Sequence, residues 1–127
     1  MSQVIPEERL SRFLLDKRHI RSSNNTVRFN AFLPPISGKL SVYRTSEQND
    51  TAIWEIGHIF VEIPRQKQLI GRADLAAATV ISSGLSVEPE TTPHPLHADI
   101  VGWSQDSSLN KLTAIKLAAM ASVVLKA

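Results

Sequence analysis

The chain has 127 residues, of which 43% are hydrophobic and 20% charged, with a formal net charge of +2 at pH 7. This is the composition of one ordinary globular domain able to bury a core of its own. With no cysteine, disulfides, thiolate metal sites and cysteine nucleophiles are excluded and a cytoplasmic home is expected; no apolar signal core or membrane-length stretch is present, so no membrane partner is expected.

The charge is unevenly spread: residues 1–46 carry eight Lys/Arg against three Asp/Glu, and residues 47–127 carry six against nine. Pro6 suits a first helical position, Glu7 and Glu8 a first turn, and Lys17, Arg18 and His19 a last turn. Leu10, Phe13 and Leu14 form an apolar stripe between them. The pattern predicts an amphipathic helix at about 6–19. Its basic cluster, Arg9, Arg12, Lys17, Arg18 and Arg21, can meet a phosphate backbone. A solvated helix face is the plainer reading, because no aromatic residues interleave with the cations for base stacking, and nucleic acid is not the expected partner.

Thr26–Leu33 alternates and predicts a strand stopped by Pro34 and Pro35, and Lys39–Thr45 predicts a second strand after a turn at Ser37-Gly38. Within the latter, Leu40, Val42 and Arg44 share a face. A buried arginine needs a partner, so Arg44 binds an anion, pairs with a carboxylate such as Asp99 or Glu55, or snorkels to water from the strand end. Ser46–Asp50 reads as a loop with a helix cap. Thr51–Ile63 shows apolar residues at helical spacing on more than one side, with Gly57 permitting close packing, until Pro64 ends the element. Gln68–Ala73 reads as a strand, Asp74 as the cap of a helix over 75–83 closed by Gly84, and Leu85–Glu88 as another strand.

The stretch Pro93–Trp103 carries the most chemistry. As a strand, Leu96–Trp103 puts Leu96, Ala98, Ile100 and Gly102 on one face and His97, Asp99, Val101 and Trp103 on the other. A carboxylate beside an imidazole favours the charged ring, so His97 and Asp99 are candidate acid/base groups, with Trp103 at the rim of a pocket. The plainer reading is a strand with a polar outer face. Leu109, Leu112, Ile115, Ala119, Met120, Val123 and Val124 then outline a final amphipathic helix, expected to be largely buried. Its small residues, Ala114, Ala118, Ala119 and Ala121, allow tight approach to a sheet or to a second copy.

The predicted order is α-β-β-α-β-α-β-β-α. It implies a single α+β domain over 1–127, with one mixed, mostly antiparallel sheet and helices packed on it. His94 and His97 lie across a proline with no third ligand placed, so no metal or cofactor is expected. Nucleophilic catalysis would need a hydroxyl activated by His97, and with no elbow motif the sequence selects none. What remains is His97 and Asp99, with Arg28, Arg44 or Arg72 as anion clamps and Trp103 as a binding contact.

The segments LSVYRT (Leu40–Thr45) and HADIVGW (His97–Trp103) resemble small bacterial proteins of unassigned activity of the kind found in mobile gene cassettes. The similarity runs over roughly residues 28–120 and implies no substrate or catalytic residue. Two functional classes follow. One is a non-catalytic module that binds a small ligand or a partner protein, as a homodimer through the C-terminal helix. The alternative is a small enzyme acting on a phosphorylated or nucleotide substrate through His97 and Asp99 with an arginine clamp.

Overall fold

The computed structural model describes residues 3–126, and in it the N-terminal segment is strand rather than helix. β1 (Arg9–Leu14) replaces the helix expected over 6–19. The chain continues through β2 (Ile20–Arg21), β3 (Thr26–Val27), β4 (Leu40–Arg44), α1 (Asp50–Gly57), α2 (Ile63–Arg65), β5 (Gly71–Ala76), α3 (Ala77–Ser82), β6 (Ser86–Pro89), β7 (His97–Val101), α4 (Ser107–Met120) and β8 (Ser122–Leu125). Six strands form one sheet in the order β6-β7-β4-β1-β5-β8, while β2 and β3 make a separate ribbon. Every pairing among the described residues is antiparallel, so the architecture is α+β as expected, and the sheet expected to be mostly antiparallel is entirely so.

β1 was misread for a physical reason. It lies between β4 and β5 and is covered on both faces. A strand buried on both sides loses its polar alternation, and Leu10, Phe13 and Leu14 then imitate a helical stripe. Leu10 and Leu14 face one core, shared with Val42, Leu75, Ile100, Phe32 and Leu117. Phe13 faces a second core on the other side, with Tyr43, Ile53, Ile56 and Leu69. The second core is covered by α1, which continues through a π-helical turn (His58–Glu62) into α2. Gly57 is the point of closest approach there: a Cβ added to it would lie 2.7 Å from the Phe13 ring.

Other boundaries moved too. The strand expected over Thr26–Leu33 is only β3, after which Phe29–Phe32 turn as a 3-10 helix with Phe32 fully buried. The strand expected at Gln68–Ala73 starts later and runs to Ala76, so Asp74 is a strand residue and caps nothing; α3 begins after Ala76. Gly84 does follow α3 with φ +87. The alternation predicted for Leu96–Trp103 holds only inside β7. Gly102, at φ +96, turns the chain, and Trp103 packs against the first core.

The final helix stops at Met120, and Val123 and Val124, expected in it, lie in the edge strand β8. Its expected burial is also corrected. Ala114 and Leu117 are the buried residues, while Leu109, Leu112, Ile115 and Met120 stand exposed. The alanine-rich side lies inward because small side chains let the helix approach closely, which leaves the bulkier stripe outside. Leu117→Ala should therefore lower the unfolding free energy by about 2–5 kcal/mol. Leu112→Ala, at a side chain 57% exposed, should lower it by less than about 0.5 kcal/mol. Urea titration at low protein concentration measures both; a reversed order would mean that the bulky stripe faces the core.

Candidate functional site

β4 and β7 pair with Ser41 opposite Asp99 and Tyr43 opposite His97. Side chains opposed across an antiparallel pair share a face, so all four lie on the side of the second core. Ser41 is also diagonal to His97, and its Oγ lies 2.6 Å from His97 Nε2. The shared face of His97 and Asp99 is present as expected, with Asp99 Oδ1 3.8 Å from Nε2.

The other ring nitrogen is held by the β6–β7 hairpin. The Glu90 backbone N–H donates to the His97 carbonyl at 3.0 Å, and the Glu90 carbonyl lies 2.9 Å from His97 Nδ1. A carbonyl only accepts, so Nδ1 carries the proton. In the neutral ring Nε2 is then the acceptor, and the Ser41 hydroxyl donates to it. Nearby, the Leu96 N–H donates to His94 Nδ1 at 3.0 Å. Burial, then the neighbouring His97, lower the His94 pKa from its ordinary value.

Beside Ser41 a cleft of about 150 Å³ opens, lined by Arg12, His19, Ser41, Tyr43, Arg65 and Lys67 with Asp16 and a few apolar side chains. Its position follows from the sheet. β1 pairs with β4 only at Leu10↔Arg44 and Ser11↔Tyr43. Beyond that point Arg12 takes the place of a backbone donor, with Nη1 on the Ser41 carbonyl at 3.0 Å and Nε on the Ala31 carbonyl at 3.1 Å. Among the described residues no carboxylate forms an ion pair with Arg12, Arg65 or Lys67. Asp16 is held by Arg18 at 2.8 Å.

The electrostatics agree. Burial, with help from the Arg65 charge, pushes the Arg12 pKa down to about 10. Burial also lowers the pKa of His19, and the charges of Arg12, Arg18 and Lys67 add to this against the pull of Asp16. Burial raises the Tyr43 phenol, opposed by Arg65. Positive charge is thus concentrated on one small concavity that also offers two hydroxyls.

The arginines expected as anion clamps, Arg28, Arg44 and Arg72, are not brought to this cleft, whereas Arg12 of the basic cluster is. Arg44 is buried in a bidentate pair with Glu8, at 2.7 and 2.6 Å, and with neither Asp99 nor Glu55. Arg72 pairs with Asp74 and Asp50 and stacks on Trp54. Arg28 is exposed and lines a separate open depression with Lys17 and Arg18. Trp103 donates its indole N–H to the Ile100 carbonyl and lines another cleft with Pro34 and Gly102; it does not border His97. Among the described residues no cluster of metal-ligating side chains is present, and no helix is long and apolar enough to cross a membrane.

Sequence patterns do not single out Ser41, Arg65 or Lys67, and they put Arg12 and His19 on a helix rather than at a cleft. Only Ser41 left a signal: if Leu40, Val42 and Arg44 share one strand face, Ser41 and Tyr43 share the other. Comparison with protein-family models, curated proteins and solved structures finds no match.

Proposed function

We propose that the protein is a binding module for a small anion, or for the anionic group of a small ligand, in the cleft beside Ser41. The observation that carries this reading is Arg12. Its side chain is half-buried and bonded to two carbonyls, with no ion-pairing carboxylate among the described residues, and it lines a concavity rimmed by Arg65 and Lys67. A cation drawn partly out of water without a counter-ion is less well stabilised than a paired one, and an anion in the cleft supplies the partner. The volume of about 150 Å³ falls below the roughly 300–1,000 Å³ of drug-sized pockets. It suits a single phosphate, sulfate or carboxylate group.

A nucleic-acid groove is less well supported. The basic cluster of residues 9–21 has no common helical face, since Arg9 and Arg12 are strand residues whose guanidiniums bond the carbonyls of Thr45, Ala31 and Ser41.

Isothermal titration calorimetry with sulfate at low ionic strength tests the reading. Arg65→Ala combined with Lys67→Ala should weaken binding by about 10- to 100-fold, the scale of losing charge-assisted contacts, whereas Arg28→Ala should leave it unchanged. No binding, or equal binding by all three proteins, would remove the proposal.

A second proposal rests on the exposed stripe of Leu109, Leu112, Ile115 and Met120 on α4. An apolar helix face of this kind marks a contact surface, and we propose that a second copy of the chain covers it about a twofold axis, with Lys116 snorkelling to the rim. Sedimentation equilibrium should give a dimer for the native chain and a monomer for Leu112→Asp; a monomeric native chain would refute the dimer.

A further inference from the structure

Ser41, His97 and the Glu90 carbonyl form a chain of hydrogen bonds that the binding reading does not require. A hydroxyl 2.6 Å from an imidazole nitrogen, with the opposite nitrogen held 2.9 Å from a fixed acceptor, is the arrangement of a nucleophile, its general base and the group that orients the base. Here the orienting group is a backbone carbonyl, held in place by the hairpin bond between the Glu90 N–H and the His97 carbonyl. We propose that His97 activates Ser41 as a nucleophile, and that the protein hydrolyses carboxylic esters bearing an anionic group that the cleft holds. The substrate class rests on the anion-binding reading above; the activated serine does not.

Three features support the assignment. Ser41 lines the cleft and is only half-buried. Asp99 Oδ1, 3.8 Å from Nε2, offsets the positive charge that appears on the ring as it takes the serine proton. Arg12, which bonds the Ser41 backbone carbonyl at 3.0 Å and lines the same cleft, brings a positive charge into the cleft where the oxyanion of a tetrahedral intermediate would form.

The reaction balances without a further reagent. The Ser41 hydroxyl proton passes to His97 Nε2 as Oγ bonds to the ester carbonyl carbon. The bond from that carbon to the alcohol oxygen breaks, and the proton moves from Nε2 to the departing oxygen. Water then attacks the acyl-serine and gives a proton to Nε2. The Oγ–carbon bond breaks, and the proton returns to Oγ. Ester and water have become acid and alcohol.

The test uses a fluorophosphonate on the native full chain. Oγ displaces fluoride from phosphorus, and the product is a stable phosphonyl-serine located by peptide mass spectrometry. The expected result is one label, on Ser41, absent from Ser41→Ala and from urea-unfolded protein. In His97→Gln the labelling rate should fall about 10²–10⁴-fold, the range of a lost general base. If His97→Gln does not fold, the exclusive labelling of Ser41 in the native chain over its other serines carries the test. Sulfate should slow the labelling. No label, label scattered over several serines, or an undiminished rate in a folded His97→Gln overturns the proposal. Labelling of Ser41 that sulfate does not slow overturns the anionic substrate class. Sulfate binding seen by calorimetry without any labelling leaves the binding module standing and removes the hydrolase.

Discussion

Burial of both faces of a single antiparallel sheet is the constraint from which the rest of the molecule follows. One face packs against α3, α4 and the 3-10 turn at Phe29–Phe32, the other against α1 and its π-helical extension. The inner strands carry polar side chains as well as apolar ones, and covering both faces takes those side chains out of water. Ser11, Arg44, Thr45, Arg72, His97 and Asp99 are all buried. Each such group requires a partner inside the protein, because leaving it unpaired costs about 1–3 kcal/mol, more when charged.

Most of that requirement is met by side chains close by in the fold, although Arg72 Nη1 is left without a hydrogen bond. Ser11 bonds Asp74 and Thr45, Arg44 takes Glu8, and Arg72 takes Asp74 and Asp50. These arginines are structural. The exception lies where β1 stops pairing with β4. There Arg12 satisfies loose carbonyls, and its charge has only solvent and the cleft to answer it. Ser41 borders the cleft at this interruption, while its pairing with β7 sets it against His97. The proposed anion site thus sits at the early end of one ladder, and the hydroxyl–imidazole pair beside it comes from the register of the next, between β4 and β7.

Much of the architecture was legible in the sequence. The α+β class, the strand at Leu40–Arg44, the helix from Asp50, the hairpin strands β6 and β7 and the shared face of His97 and Asp99 all follow from local patterns. β1 was not legible because its two buried faces erased the alternation that marks a strand. The orientation of α4 was not legible because an alanine face and a leucine face are both apolar, and only the shape of the sheet decides which packs closely. The site was legible in part. His97 stood out, but Ser41, Arg12, Arg65 and Lys67 come from β4, β1 and the segment after α1, and no local spacing links them. Arg44, in line with two aliphatics in the sequence, has a carboxylate within reach in the fold, that of Glu8.

His19 offers a direct view of whether the cleft takes an anion, since its ring lines the cavity and its pKa is held below the ordinary 6.5 by burial and by the surrounding cations. Protonating it is therefore harder in the folded protein than in the unfolded one, and the stability this gives is present above pH 6.5 and lost as the pH falls through the lowered value. Sulfate keeps its charge across that range. Bound in the cleft, it would favour the charged ring and move the His19 titration upward. The measurement is a pH titration of the protein labelled with 15N at histidine, followed by NMR with and without sulfate. His58 serves as reference, exposed and paired with Glu62 at 2.6 Å. The account predicts that sulfate raises the His19 midpoint while His58 stays in place. A His19 midpoint that does not move, or one that moves only as far as His58, would contradict it.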